Sequence, residues 1–357
     1  MSQLTLRTVA RPLASCTLVA AALAAATLAA CSDQPTQPRA TPPAAAASAG
    51  QAVAASSPQH FYRPRPRTSF AVGDTTEALA VGPSSRLPSD LPALSTLPIF
   101  WHGGQVLNSP KVFAIYMSQS RIYKNGPQPG TSGSGSFDGS LIGHFLRNLG
   151  GSPYWNIETT YFDSQGPVPN QLHYSGFLAW NIATLPVIPD FILQANIVTA
   201  LENHHIAFDP SMIYVVFTGP GVNPGAGFPS DYCAYHSRFT YPNTSQTLKY
   251  VVMPFLPDAG TGCSAPSGSP NDDAPADMAV NTLAHELDEA VTDANGDGWF
   301  DDSSKHEENA DKCEWTFGQT FVTPNGARAN MTLGGKNYLV QRNWQAAPPQ
   351  QCTRHFP

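Results

Sequence analysis

The stretch AHELDEAVTDANGDGWFDD (284–302) sets one histidine among carboxylates, and its reading decides what kind of domain this chain forms. Pro275, just upstream, suits a first helical turn because its missing N–H would have no partner there anyway. Val280, Leu283, Leu287 and Val291 then recur at three- and four-residue steps, which predicts an amphipathic helix with that face in the core. His285 and Glu289, four apart, share a neighbouring face, with Glu286 beside them. In a helical HExxH, two histidines grip zinc while the glutamate polarises a water. Here the fifth position is Glu289, whose oxygen is also an acceptable zinc ligand. The competing reading is an exposed acidic helix face that runs into a turn.

A third ligand must come from elsewhere, and HEENADKCEW (306–315) offers one. The expected zinc set is His285, Glu289 and Glu308, with Glu286 as the catalytic general base. Asp311, three residues past Glu308, is expected to orient a ligand or to replace one. The second half of the opening stretch raises a separate possibility. Asp293, Asn295 and Asp297, followed by Gly298, match the start of a calcium loop, and Asp301 stands at its ninth position. Ser304 fills the twelfth, where a bidentate glutamate is expected, so an acidic Asn-Gly and Asp-Gly turn competes with a structural calcium site. His236 is a further candidate ligand, although a packed histidine is the preferred reading. His102 reads equally as a cleft residue or a turn residue.

Outward from the helix, KVFAIY (111–116), IYVVFT (213–218) and YVVM (250–253) are short β-rich runs that read as core strands. Helices are predicted at 140–149 and 190–204, the second with Asp190 as its cap. Interspersed strands and helices predict α/β or α+β architecture: one domain with a mixed sheet and a metal-motif helix. GTSGSGSFDGS (130–140) contains no G-x-S-x-G, so it offers no serine-hydrolase elbow. GPGVNPGAG (219–227) fails the P-loop and dinucleotide spacings and reads as a loop bordering a cleft.

The N-terminus has the layout of an export signal, with Arg7 and Arg11 before an apolar run from Leu13 to Ala30. Leu28, Ala29, Ala30 and Cys31 resemble a bacterial lipobox, which makes 1–30 a lipoprotein signal peptide and Cys31 the lipidated residue. Ser32 after it matches sorting to an outer membrane. Residues 31–90, rich in Pro, Ala and Ser, cannot bury enough apolar surface to fold and read as a disordered tether. Within it HFYRPRPRTSF (60–70) could touch an anionic polymer, but a solubilising spacer is preferred. The folded domain is therefore expected over 91–357. A net charge of −7 with no long basic run argues against a nucleic-acid partner. The partners expected instead are the bilayer and a cell-wall peptide or glycan. Beyond Cys16 and Cys31 remain Cys233, Cys263, Cys313 and Cys352, an even number suited to two disulfides in an oxidising compartment. Three pairings are possible; chain proximity favours Cys233 with Cys263 and Cys313 with Cys352.

A family resemblance rests on a succession of segments: WHGGQVLNSPKVFAIY (101–116), DYCAYHS (231–237), AHELDEAVTD (284–293), ENADKCEW (308–315) and YLVQRNW (338–344). In this order they resemble the EXORDIUM family, also called phosphate-induced protein, known from plant cell walls and extracytoplasmic bacterial relatives. The resemblance implies that Glu289 is the family's usual residue at that position. An HExxE helix followed by ExxD is similar to the zincin pattern of metallopeptidases, which implies a zincin-like domain. The expectation is an envelope-tethered, zinc-dependent hydrolase of peptide or related amide bonds. The alternative is a non-catalytic extracytoplasmic module that binds or signals through a wall glycan or peptide.

Overall fold

The computed structural model describes residues 60–63 and 97–357, apart from 205 and 266. The expected signal peptide (1–30), the lipidation site Cys31 and the rest of the expected tether lie outside the described residues. His60–Tyr62 (β1) falls within the stretch expected to be tether, yet it forms a strand of the main sheet.

Twelve elements matter here. After β1 come β2 (Ile99–Trp101), β3 (Lys111–Met117), β4 (Thr131–Ser134), α1 (Leu141–Leu149), β5 (His173–Trp180) and α2 (Asp190–Asn203). They are followed by β6 (Met212–Thr218), β7 (Ala234–Thr240), β8 (Thr247–Met253), α3 (Ala274–Thr292) and β9 (Trp299–Asp301). The main sheet is seven-stranded in the order β1-β7-β8-β6-β3-β5-β4. Strands β8, β6, β3 and β5 run parallel, while β7, β1 and β4 are antiparallel to their neighbours. The fold is thus mixed α/β.

Both faces of the sheet are covered. On one, Val112, Ala114, Ile213, Val215 and Val251 pack with Phe145 and Leu146 of α1 and with Val280, Leu283, Leu287 and Val291 of α3. On the other, Ile115, Tyr214, Val216 and Val252 pack with Leu193, Ile197 and Leu201 of α2. Every residue of β6 is buried, as expected for a parallel strand between two helical layers. That is why 213–218 reads as an unbroken apolar run. Ser140 caps α1 by accepting from Gly143 N, at the start expected for that helix. Asp190 does not cap α2 as expected. Pro189 occupies the cap, and the Asp190 carboxylate accepts from the hydroxyls of Tyr235 and Tyr250, tying the helix to the sheet.

Two disulfides, Cys233–Cys263 and Cys313–Cys352, have the pairing expected from chain proximity, with Cα separations of 5.5 and 5.6 Å. β2 pairs antiparallel with β9, which brings the WHGG segment against the loop after α3. There Gly104 N donates to Asp297 O at 2.6 Å, and a Cβ on Gly104 would lie 2.4 Å from that backbone. Gly104→Ala should therefore force the two segments apart and destabilise the protein by about 1–3 kcal/mol. Equilibrium denaturant unfolding checks this, and an unchanged midpoint would show that the contact is not tight.

Candidate metal centre

Helix α3 lies under β7 and β8 and presents His285, Glu286 and Glu289 to the underside of the sheet. All three are at most 1% exposed. From above, β7 sends down His236, whose strand neighbour Tyr235 packs on the opposite face. From the side comes the segment 307–314, held by the Cys313–Cys352 crosslink and by Asn309. The Asn309 amide donates to Glu158 Oε2 (3.1 Å) and to the backbone carbonyl of Asp288 (3.2 Å).

Glu289 is the common member of what assembles there. Its Oε1 stands 3.0 Å from His285 Nε2 and accepts from the backbone N–H of Asp311 at 3.1 Å. Asp311 Oδ1 lies 3.8 Å from the same His285 nitrogen. Glu289 Oε2 faces the other way, 3.4 Å from His236 Nδ1, while His236 Nε2 lies 3.6 Å from Glu308 Oε2. Two triads result, His285–Glu289–Asp311 and His236–Glu289–Glu308, each with its donor atoms within 4.8 Å of one another. Glu286 Oε2 adjoins His236 Nδ1 at 3.3 Å. The expected set His285, Glu289 and Glu308 is thus gathered in one cluster, but Glu308 and Asp311 fall on opposite sides of Glu289.

Four carboxylates (Glu286, Glu289, Glu308, Asp311) gather about two imidazoles beneath the sheet, a donor set that a divalent cation would suit. Burial alone would lower the pKa of His285, but Glu289, Glu286 and Asp311 hold it up at about 10. Burial, then Glu289, pushes Asp311 up to about 7. Glu286 and Glu308 are raised, chiefly by burial. Glu289 alone is held below the usual carboxylate range, because His285 and His236 outweigh its burial. Among the described residues, Glu286 Oε1 is buried without a hydrogen-bond donor, and Glu289 Oε2 is faced by the His236 ring at 3.4 Å. Buried polar atoms are rarely left so, and a divalent ion is one group that would satisfy them.

Neighbouring residues set the geometry. Gln341 Nε2 is hydrogen-bonded to His285 Nδ1 (3.0 Å) and donates to Ala310 O (2.9 Å), which turns the opposite ring edge toward Glu289. Asp288 points away from the cluster and accepts from the Tyr154 hydroxyl at 2.6 Å.

Other sequence candidates stand apart. His102 stacks on Phe300 with ring centroids 3.7 Å apart and does not reach the cluster. The expected calcium loop is partly engaged by its own contacts, while Asp293 Oδ2 and Asn295 Oδ1 are buried with no hydrogen-bond partner among the described residues. Asp293 Oδ1 accepts from Gly298 N, and Asp297 is exposed. Asp301 accepts from Ser303 and Glu307 N–H groups and is paired with Lys312 at 2.8 Å. Among the described residues, the sets of three histidine or acidic side chains with donor atoms close enough to share an ion are the two triads at Glu289, and Asp293, Asp297 and Asp301 belong to neither. Asn295 belongs to neither triad. His236, weighed in sequence as a packed histidine, is the residue whose role the sequence understated. Gln341 carried no signal of its own beyond its place in YLVQRNW.

The motifs scattered along the chain converge here: DYCAYHS supplies His236, ENADKCEW supplies Glu308 and Asp311, and YLVQRNW supplies Gln341. No curated protein and no solved structure matches the chain. The model of the phosphate-induced protein 1 conserved region matches residues 154–340, more than half of the 357-residue sequence and a span that includes both triads. The chain belongs to the phosphate-induced protein 1, EXORDIUM-like family.

Proposed function

We propose that this protein is a metal-dependent hydrolase of peptide or related amide bonds, exported and tethered to the cell envelope through Cys31. The observation that carries the reading is the sharing of Glu289 by two buried triads in which carboxylates outnumber imidazoles. His285, Glu289 and Asp311 would hold the ion, because Asp311 is the member that reaches toward the surface, with 13% of its side chain exposed. One imidazole and two carboxylates are donors that zinc accepts. The α3 helix would then play the part of a zincin helix with glutamate as the second ligand.

A divalent ion at this place supplies Lewis-acid polarisation of the scissile carbonyl and of a water. Glu286 takes a proton from the attacking water as the new C–O bond forms. It returns that proton to the amine nitrogen as the C–N bond breaks. His236, beside Glu286 Oε2, keeps that carboxylate oriented. Gln341 does the same for His285. Export accords with the two disulfides, and among the described residues no helix is long and apolar enough to cross a membrane.

The second reading, a binding or signalling module for wall glycan or peptide, draws on the complete burial of Glu286. Two measurements separate the two. Purified protein should carry about one divalent ion per chain, and Glu289→Ala should lose it, since removal of that carboxylate dismantles both triads. Elemental analysis reads this directly, and a metal-free wild-type protein would end the proposal. Glu286→Gln should keep the ion while amide hydrolysis falls by about 10²–10⁴-fold. Equal turnover in that variant would remove Glu286 from the chemistry.

A further inference from the structure

The outer edge of β7 is not left open. β1 runs antiparallel along it, with His60, Phe61 and Tyr62 opposite His236, Tyr235 and Ala234. This places main chain from a distant part of the sequence directly alongside the strand that carries His236 into the metal centre.

The next residue, Arg63, is met at each of its polar groups. Its backbone N–H donates to Glu314 Oε1 at 2.7 Å and its Nε to Glu314 Oε2 at 2.9 Å. One terminal nitrogen donates to Asp311 Oδ1 at 3.2 Å, and the other lies 3.6 Å from Glu307 Oε1. Its carbonyl accepts from the Trp315 indole N–H at 3.0 Å. The three acidic side chains are between 2% and 13% exposed, while that of Arg63 is 27% exposed. The wall is therefore a built pocket for one arginyl residue in an extended chain, and Arg63 covers it from outside. Asp311 belongs both to this pocket and to the triad with His285 and Glu289.

We propose that the β7 edge and the Glu307–Asp311–Glu314 pocket form a binding groove for an extended, arginine-bearing peptide, and that residues 60–63 are an intramolecular strap occupying it. An open strand edge recognises any extended main chain, and a side-chain pocket beside it selects the residue. Several carboxylates around one planar guanidinium favour arginine over lysine. The groove runs past Asp311, and the protein's own chain holds it. Assigning the ligand as substrate rests on the hydrolase reading above. The groove itself does not.

The test uses the full chain, with chelator present so that neither metal nor turnover enters the readout. The probe is a fluorescent peptide QHFYRPR, copied from residues 59–65, with a control in which both arginines are alanine. Arg63→Ala should bind the probe at least about tenfold more tightly than wild type, because the internal competitor is weakened. Glu314→Gln, which damages the pocket itself, should gain no such affinity. The control peptide should bind neither variant. Equal affinity of Arg63→Ala and wild type, or equal binding of probe and control, would overturn the proposal.

Should Arg63→Ala fail to fold, wild-type protein decides the matter. Excess probe should speed amide hydrogen exchange at Phe61 to Arg63 while the control does not, and unchanged exchange would refute the strap. Because these readings are taken without metal, strap displacement in a protein that proves metal-free would sink the hydrolase and leave the groove standing.

Discussion

The carboxylate of Glu289 holds the centre of this molecule together. It is 1% exposed, and each of its oxygens answers to a different part of the chain: one to His285 and the Asp311 backbone, the other to His236 on the sheet. A buried anion is costly unless several groups face it, and here three separate elements do so. The helix, the sheet edge and the crosslinked segment 307–314 are each positioned by ordinary packing or a disulfide. Their meeting at one carboxylate is what makes that packing chemically consequential.

The parts of the fold legible in the sequence are those in which one physical pattern acts alone. β3, β6 and β8 sit between two helical layers, so they read as continuous apolar runs. Helix α3 shows its periodicity because Val280, Leu283, Leu287 and Val291 line one face. β7 gives no such signal, since its inward position is His236 and its alternation of apolar and polar residues fails where the site begins. β5 carries Gly176 and a register shift opposite β3, which blur its pattern. β1 reads as tether because a three-residue strand is too short to stand out from the composition around it.

The site was partly legible for a related reason. His285, Glu286 and Glu289 are close in sequence, so helical geometry alone predicts their proximity. The companions from 308–311 follow from a second dense acidic segment. His236 and Gln341 arrive through tertiary contacts at sequence separations of about 50 residues or more, which no local spacing encodes. In the acidic loop after α3, whose spacing suits calcium, Asp301 is paired with Lys312, a partner that local spacing does not show.

Strand β7 exposes its two kinds of chemistry in perpendicular directions. Its amides and carbonyls lie in the plane of the sheet, whereas the imidazole of His236 leaves that plane toward the helix. Edge pairing and contact with the buried cluster are thereby placed on independent axes of the same seven residues. A change of the imidazole need not disturb the backbone rail, and a longer rail need not touch the carboxylates beneath the sheet.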